Sequence, residues 1–176
     1  MRGPPPTGRR GKPMDGNRAD ANTRALVGLR IAVGVLFLIF AQYKVFGTQF
    51  TLGGGFQYWI NGFLKEGAYP FMVPVLKGFV LPHATAIAFL AAYGELAMGL
   101  ALVFGVLVRA ASVGGFIYML TLLFASNYPG AHAPLWQYFG ASLEHLVPAM
   151  CFATFALADS EAMLSLGRRL RGRGSS

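Results

Sequence analysis

Four apolar stretches dominate this sequence, at about residues 25–46, 83–107, 110–126 and 136–158. Each is long enough to cross the roughly 30 Å hydrocarbon layer of a bilayer as a helix. Only 12% of the 176 residues are charged, against 55% that are apolar. Because the backbone in lipid must satisfy its own hydrogen bonds, the sequence predicts an all-α integral membrane protein, a bundle of four transmembrane helices.

The basic residues predict how this bundle lies in the membrane. Residues 1–23, rich in proline and glycine, lack hydrophobic periodicity and are predicted to be a disordered basic tail, and 161–176 form a second basic tail. Of the 15 lysines and arginines, only Lys44, Lys65 and Lys77 fall on the side opposite the tails. The positive-inside rule then predicts cytoplasmic N- and C-termini and a multi-pass membrane domain at 24–160.

The connection 47–82, on the extracytoplasmic side, is too aromatic for a free loop. Its apolar residues fall at helical spacing, which predicts an amphipathic helix in the membrane interface: Phe56, Trp59, Ile60, Phe63 and Leu64. The next apolar piece, 71–81, is too short to span and is bracketed by prolines, so a cap or re-entrant segment is expected. Together they would cover a cavity from outside; the alternative is that the aromatics only anchor the protein at the lipid headgroups.

Four charged side chains fall within the predicted spans, namely Arg30, Lys44, Glu95 and Glu144. A charge at the centre of a bilayer costs about 3 kcal/mol or more, so each needs a partner or water. Counting about 1.5 Å of rise per residue places Lys44 and Glu144 in the outer half, and Arg30 in the inner half with Glu95 between the two levels. We therefore predict the pairs Lys44–Glu144 and Arg30–Glu95; the alternative is that such pairs only set helix register.

Helical spacing also predicts which face each span turns toward the bundle. The four semi-polar faces are, in chain order, Arg30, Gly34, Phe37, Ala41 and Lys44; Ala88, Ala92, Glu95, Gly99, Leu102, Val106 and Arg109; Gly114, Tyr118, Thr121, Ala125 and Tyr128; and Gln137, Ala141, Glu144, Pro148 and Cys151. Small residues four apart, such as Gly28 and Ala32, predict close approach of helix backbones.

Two of these spans carry a pattern that resembles the DoxX/DoxD family of small four-helix membrane proteins, over roughly residues 24–170. The residues are Leu29, Arg30, Gly34, Phe37, Lys44, Phe46 and Gly47 in the first span, and Glu95, Gly99, Leu102, Gly105, Arg109 and Ala110 in the second. The resemblance implies an inner-membrane bundle related to a thiosulfate:quinone oxidoreductase subunit, or to subunits of other redox complexes. Ala41 departs from the glycine common at that position, and the long 47–82 connection favours the DoxD-like branch.

Three functions fit these features. The first is a membrane subunit of a quinone-dependent oxidoreductase that binds quinone in the outer half of the bundle, lined by Lys44, Glu144, Tyr128 and Trp59. Lys44 would donate a hydrogen bond to a quinone oxygen, Glu144 would pass the proton, and a partner redox protein would deliver the electrons. The second is a noncatalytic scaffold or assembly subunit, and the third a small proton or solute transporter using Glu95 and Glu144.

The sequence also limits which other partners and cofactors are expected. The net charge of +8 resides mainly in the tails, so no nucleic-acid binding is expected, and membrane lipid is the surrounding medium. No histidine pair has metal-ligand spacing, so we expect no metal. No covalent cofactor motif is present, so we expect no covalently bound cofactor. The single cysteine, Cys151, excludes a dithiol relay within this chain. Whether the protein is itself catalytic, or forms a homo-oligomer, stays open.

Overall fold

The computed structural model describes residues 15–158, with side chains from residue 21, and every regular element among them is a helix. In chain order these are α1 (Asp15–Phe46), α2 (Thr48–Thr51), α3 (Gly55–Glu66), α4 (Val73–Val75), a π-helical turn (Leu76–Val80), α5 (Ala84–Phe104), α6 (Val108–Ala125), α7 (Leu135–Gly140) and α8 (Leu143–Leu157).

Three helices are long and apolar enough to cross a membrane. They are Ala21–Phe46 within α1, all of α5 and all of α6, which confirms the first three predicted spans. Helix α1 begins at Asp15, so the last part of the segment 1–23 that the sequence predicts as disordered is helical. A helix already formed by an apolar span extends outward at little cost, because only nucleation is unfavourable. Residues 1–14 and the predicted tail 161–176 lie outside the described residues.

The fourth predicted span, 136–158, is divided in two. Helix α7 ends at Gly140, and α8 starts after Ser142, whose carbonyl oxygen accepts hydrogen bonds from the backbone N–H groups of His145 and Leu146. The apolar helix α8 has 15 residues, about 22 Å at the normal helical rise, which is short of the hydrocarbon thickness. A complete fourth span therefore stays a prediction.

The long helices pack as two close pairs, α1 with α5 and α6 with α8. In the first pair, a Cβ placed on Gly34 would lie 2.9 Å from the Cβ of Leu102 and 3.0 Å from the carbonyl oxygen of Gly99. In the second pair, a Cβ on Gly115 would lie 2.5 Å from the ring of Phe152. The two pairs contact each other between α5 and α6 and at Phe152, whose ring packs edge to face on Phe37 with centroids 5.0 Å apart. Glycine thus sets the distance between the helices of each pair.

The predicted faces of α1 and α5 are largely correct, and those of α6 and α8 are correct in part. On α6, Ala125 is buried and Tyr118 donates a hydrogen bond to Glu95, but Gly114 and Thr121 are exposed. On α8, Glu144, Pro148 and Cys151 line a cavity between the helices. All five α1 residues from Arg30 to Lys44 are buried or nearly so, whereas Val106 and Arg109, after α5, are exposed. The face of α6 that packs most closely is rotated by one residue from the predicted face, and the packed face of α8 lacks Glu144. The buried residues include Ser112, Gly115, Met119 and Leu123 on α6, and Ala149, Phe152 and Phe155 on α8. The semi-polar residues identified the most closely packed face only on α1 and α5, the two helices that carry a buried charge.

The connection between α1 and α5 packs on one end of the bundle, called here the connection end. Its buried side chains form one apolar cluster with the adjoining parts of α5 and α6: Phe50, Phe56, Ile60, Ala68, Leu76, Ala84, Ala88, Ala92 and Ala125. Helix α3 occupies the segment predicted to be amphipathic, with Phe56 and Ile60 buried and Trp59 half exposed. Its placement in the membrane interface stays a prediction.

The close approach at Gly34 predicts a specific loss of stability. We expect Gly34→Ala to lower the free energy of unfolding by about 1–3 kcal/mol, because the new methyl group meets a rigid Cβ and a backbone oxygen. Gly28→Ala, on the same helix, is the matched control, since nothing lies within 4 Å of its added Cβ. Thermal unfolding of the purified variants in detergent measures both. Equal melting temperatures for the two variants would contradict the packing described here.

Candidate ligand-binding site

A cavity of about 600 Å³ lies between the two helix pairs, where α1 faces α8. Helices α1 and α8 contact each other far less than either contacts its own partner, and this leaves the space open. Its walls come from four helices: Leu29, Ala32, Val33, Leu36, Phe37, Phe40 and Lys44 of α1, Glu95 of α5, Met119 and Leu122 of α6, and Glu144, His145, Val147, Pro148 and Cys151 of α8. Leu36, Phe40 and Val147 are more than half exposed, so the cavity opens on the outer surface of the helices.

One end of this cavity is polar, and a buried ion pair forms it. The ammonium of Lys44 donates to Oε1 of Glu95 at 2.5 Å, and the exposed fractions of the two side chains are 12% and 5%. The hydroxyl of Tyr118 donates to the same Oε1, also at 2.5 Å. The ring of Phe50, from the connection, lies 5.2 Å from the Lys44 ammonium. Three long helices thus meet at one carboxylate oxygen.

This ion pair corrects both predicted pairings. Lys44 pairs with Glu95 and not with Glu144, and Arg30 lies against Gly105, whose added Cβ would be 3.2 Å from both terminal nitrogens of the guanidinium. The reason is side-chain direction, because helical side chains tilt toward the N-terminus of their own helix. On the antiparallel α1 and α5, this tilt brings Lys44 and Glu95 toward each other and carries Arg30 away from Glu95.

Glu144 and His145, in the first turn of α8, also line the cavity. The exposed fraction of the Glu144 side chain is 60%, and its Oε1 lies 3.9 Å from Nε2 of His145. The side-chain amide of Asn127 donates to the same oxygen at 3.2 Å. Although adjacent on α8, both residues border the cavity. The cavity wall therefore carries a second carboxylate and an imidazole besides the buried pair.

The other two predicted ligand residues are elsewhere. Tyr128 belongs to an aromatic cluster with Tyr69 and Tyr138, with ring centroids 4.9 and 6.2 Å from its own. Burial, and then the neighbouring phenols of Tyr138 and Tyr128, raise the pKa of Tyr69. Trp59 packs only on Tyr58, among the ring contacts of the described residues. No residue of the connection 47–82 lines the cavity, so it does not cover the cavity as predicted.

Sequence reasoning did not assign the residues that complete the site. It placed Tyr118 on a helix face without giving it a role, and it did not connect His145 with the cavity. A usable signal for Tyr118 was present, because a phenol in an apolar span needs a hydrogen-bond partner when it is buried. Among residues 21–158, whose side chains the structure describes, no three His, Cys, Asp or Glu side chains come together as metal ligands.

Comparison with models of protein families gives a match to the family described as DoxX over residues 25–128. The match covers more than half of the chain and includes Lys44, Glu95 and Tyr118, whereas α8 lies beyond it. Neither the curated proteins nor the solved structures include a significant match to this sequence. The family match therefore includes the buried polar end of the cavity and leaves out its α8 wall.

The buried pair predicts a non-additive pattern of stability. We expect Lys44→Met to lower the free energy of unfolding by about 3–5 kcal/mol, because Glu95 is left as a buried charge without its cation. Adding Glu95→Gln should restore most of that loss. Glu144→Gln, at an exposed carboxylate, is the control and should change stability by less than about 1 kcal/mol. Thermal unfolding in detergent compares the three; a double variant no more stable than Lys44→Met would count against the pairing.

Proposed function

Given that the chain belongs to the DoxX family, we propose that it is the membrane subunit of a redox complex and binds a quinone in the cavity between α1 and α8. The observation that carries this proposal is the cavity's division into a polar end and an apolar length. Its volume of about 600 Å³ lies in the range of small-molecule sites.

The shape of the cavity matches a ring with a hydrocarbon tail. Along α1 the lining runs from Leu29 to Lys44, about 22 Å at 1.5 Å of rise per residue. The ring lies at the polar end beside Lys44 and Glu95, and the tail follows the apolar wall toward Leu29. Because the open side faces outward between α1 and α8, a lipid-soluble molecule reaches the site from the bilayer without passing through water.

The polar side chains of the cavity can provide the hydrogen bonds and the proton transfers that reduction of a quinone requires. Lys44 has two N–H groups beyond the one given to Glu95, so it can donate to a ring oxygen. Reduction of a quinone to a hydroquinone takes up two electrons and two protons. Glu144, whose side chain is largely exposed, and His145, both in the first turn of α8, exchange protons between the site and the water outside the membrane. With one cysteine and no flavin or dinucleotide motif in the sequence, we propose that a partner redox protein supplies the electrons.

The same proposal includes the arrangement in the membrane. The chain lies in the inner membrane, α8 completes a four-helix bundle, and both termini face the cytoplasm, as the distribution of basic residues favours. The connection end then faces outward, which puts the polar end of the cavity in the outer half of the bilayer.

A noncatalytic scaffold is the second candidate, and one observation favours it. The Lys44–Glu95 pair joins α1 to α5 at low exposure, as expected of a contact that sets the register of two helices. A scaffold of this kind would not need a ligand in the cavity. Binding of a quinone therefore separates the two functions.

Filling the cavity tests the proposal. We expect a short-chain ubiquinone or menaquinone analogue to bind the purified full-length chain, and Ala32→Phe to weaken that binding at least about tenfold, because the phenyl ring occupies the path of the tail. Val35→Phe is the matched control, since Val35 is exposed on the same helix but does not line the cavity. Calorimetric titration in lipid nanodiscs gives the dissociation constants. Absence of binding to the wild-type chain by both the oxidised and the reduced form of the analogue would refute the proposal and favour the scaffold.

A further inference from the structure

The two oxygens of the Glu95 carboxylate have different surroundings. Lys44 and Tyr118 both donate to Oε1. Oε2 is buried and has no hydrogen-bond partner among the described residues. A carboxylate oxygen that is removed from water without a donor is unfavourable, and more so than a neutral acceptor. The side chain belongs to the wall of the cavity, so a ligand is the natural source of the missing donor.

The direction of this hydrogen bond restricts the head group of the ligand. An ionised carboxylate only accepts hydrogen bonds, and the ammonium of Lys44 stabilises its negative charge. A quinone oxygen also only accepts, and therefore leaves Oε2 unsatisfied. A hydroquinone hydroxyl donates and accepts at once, so a single group can donate to Glu95 and accept from Lys44. The terminal torsion of a glutamate is soft, so the carboxylate can reorient when a ligand enters the cavity.

We infer that the site is selective for the reduced form of its ligand, with Glu95 accepting a hydrogen bond from a hydroquinone hydroxyl. This inference rests on the proposed function and adds the redox state that the site recognises. Glu95 is then the residue that determines specificity. Tighter binding of the reduced form also makes the bound quinone easier to reduce, and a tenfold preference raises its midpoint potential by about 30 mV.

The test compares three ligands on the wild-type chain. They are a short-chain quinone, its hydroquinone kept reduced without oxygen, and the dimethyl ether of that hydroquinone, which has the same ring but no donor. We expect the hydroquinone to bind at least about tenfold more tightly than either of the others, which is the usual effect of one hydrogen bond to a charged group. Calorimetric titration in nanodiscs gives the three dissociation constants.

A variant of Glu95 then tests whether this residue causes the preference for the hydroquinone. In Glu95→Gln an amide N–H₂ takes the place of Oε2 and donates, so the preference for the hydroquinone should disappear or reverse toward the quinone. If this variant does not fold, the three ligands on the wild-type chain decide the matter. Equal affinities, or a tighter quinone, would overturn this inference and leave the proposed function standing. Failure of all three ligands to bind would overturn the proposed function itself.

Discussion

A carboxylate inside an apolar bundle has to be matched by a cation, and here that requirement joins three helices. Glu95 on α5 receives Lys44 from α1 and Tyr118 from α6, and all three side chains act on one oxygen. The attraction between such charges is large where water is excluded, but so is the cost of removing them from water. The arrangement therefore holds only if the helices stay at the spacing that keeps this contact. Burial of the pair and packing of the bundle depend on each other.

Glycine residues allow the close spacing of the helices within each pair, and a cavity remains between the two pairs. Gly34 lets α1 approach α5, and Gly115 lets α6 approach the ring of Phe152 on α8. Between the pairs, α1 and α8 make few contacts, among them the edge-to-face contact of Phe37 with Phe152. The space beside that contact is apolar for most of its length and polar at the end where Lys44 and Glu95 lie. An amphiphilic cavity thus follows from pairwise helix packing around a buried charge.

The sequence predicted the burial of α1 and α5 better than that of the other helices, and charge explains the difference. Arg30, Lys44 and Glu95 cannot face lipid, so the stripes that contain them had to be the buried ones. No charge constrained α6 in this way, and its packed face runs through Gly115, next to the predicted Gly114. On α8, Glu144 and Cys151 line the cavity, while the packed face holds Phe152 and Phe155.

By itself the sequence determined that this chain crosses lipid as helices, because apolar length and the need for internal backbone hydrogen bonds are local properties. It also determined that Lys44 and Glu95 are buried among protein. Only the tertiary structure decided that these two residues are partners, since their meeting depends on the tilt of side chains on two antiparallel helices. The same holds for the cavity, which is lined by Lys44 and Glu144 but not by Tyr128 or Trp59. Which walls face each other is set by contacts between helices that are distant in the chain.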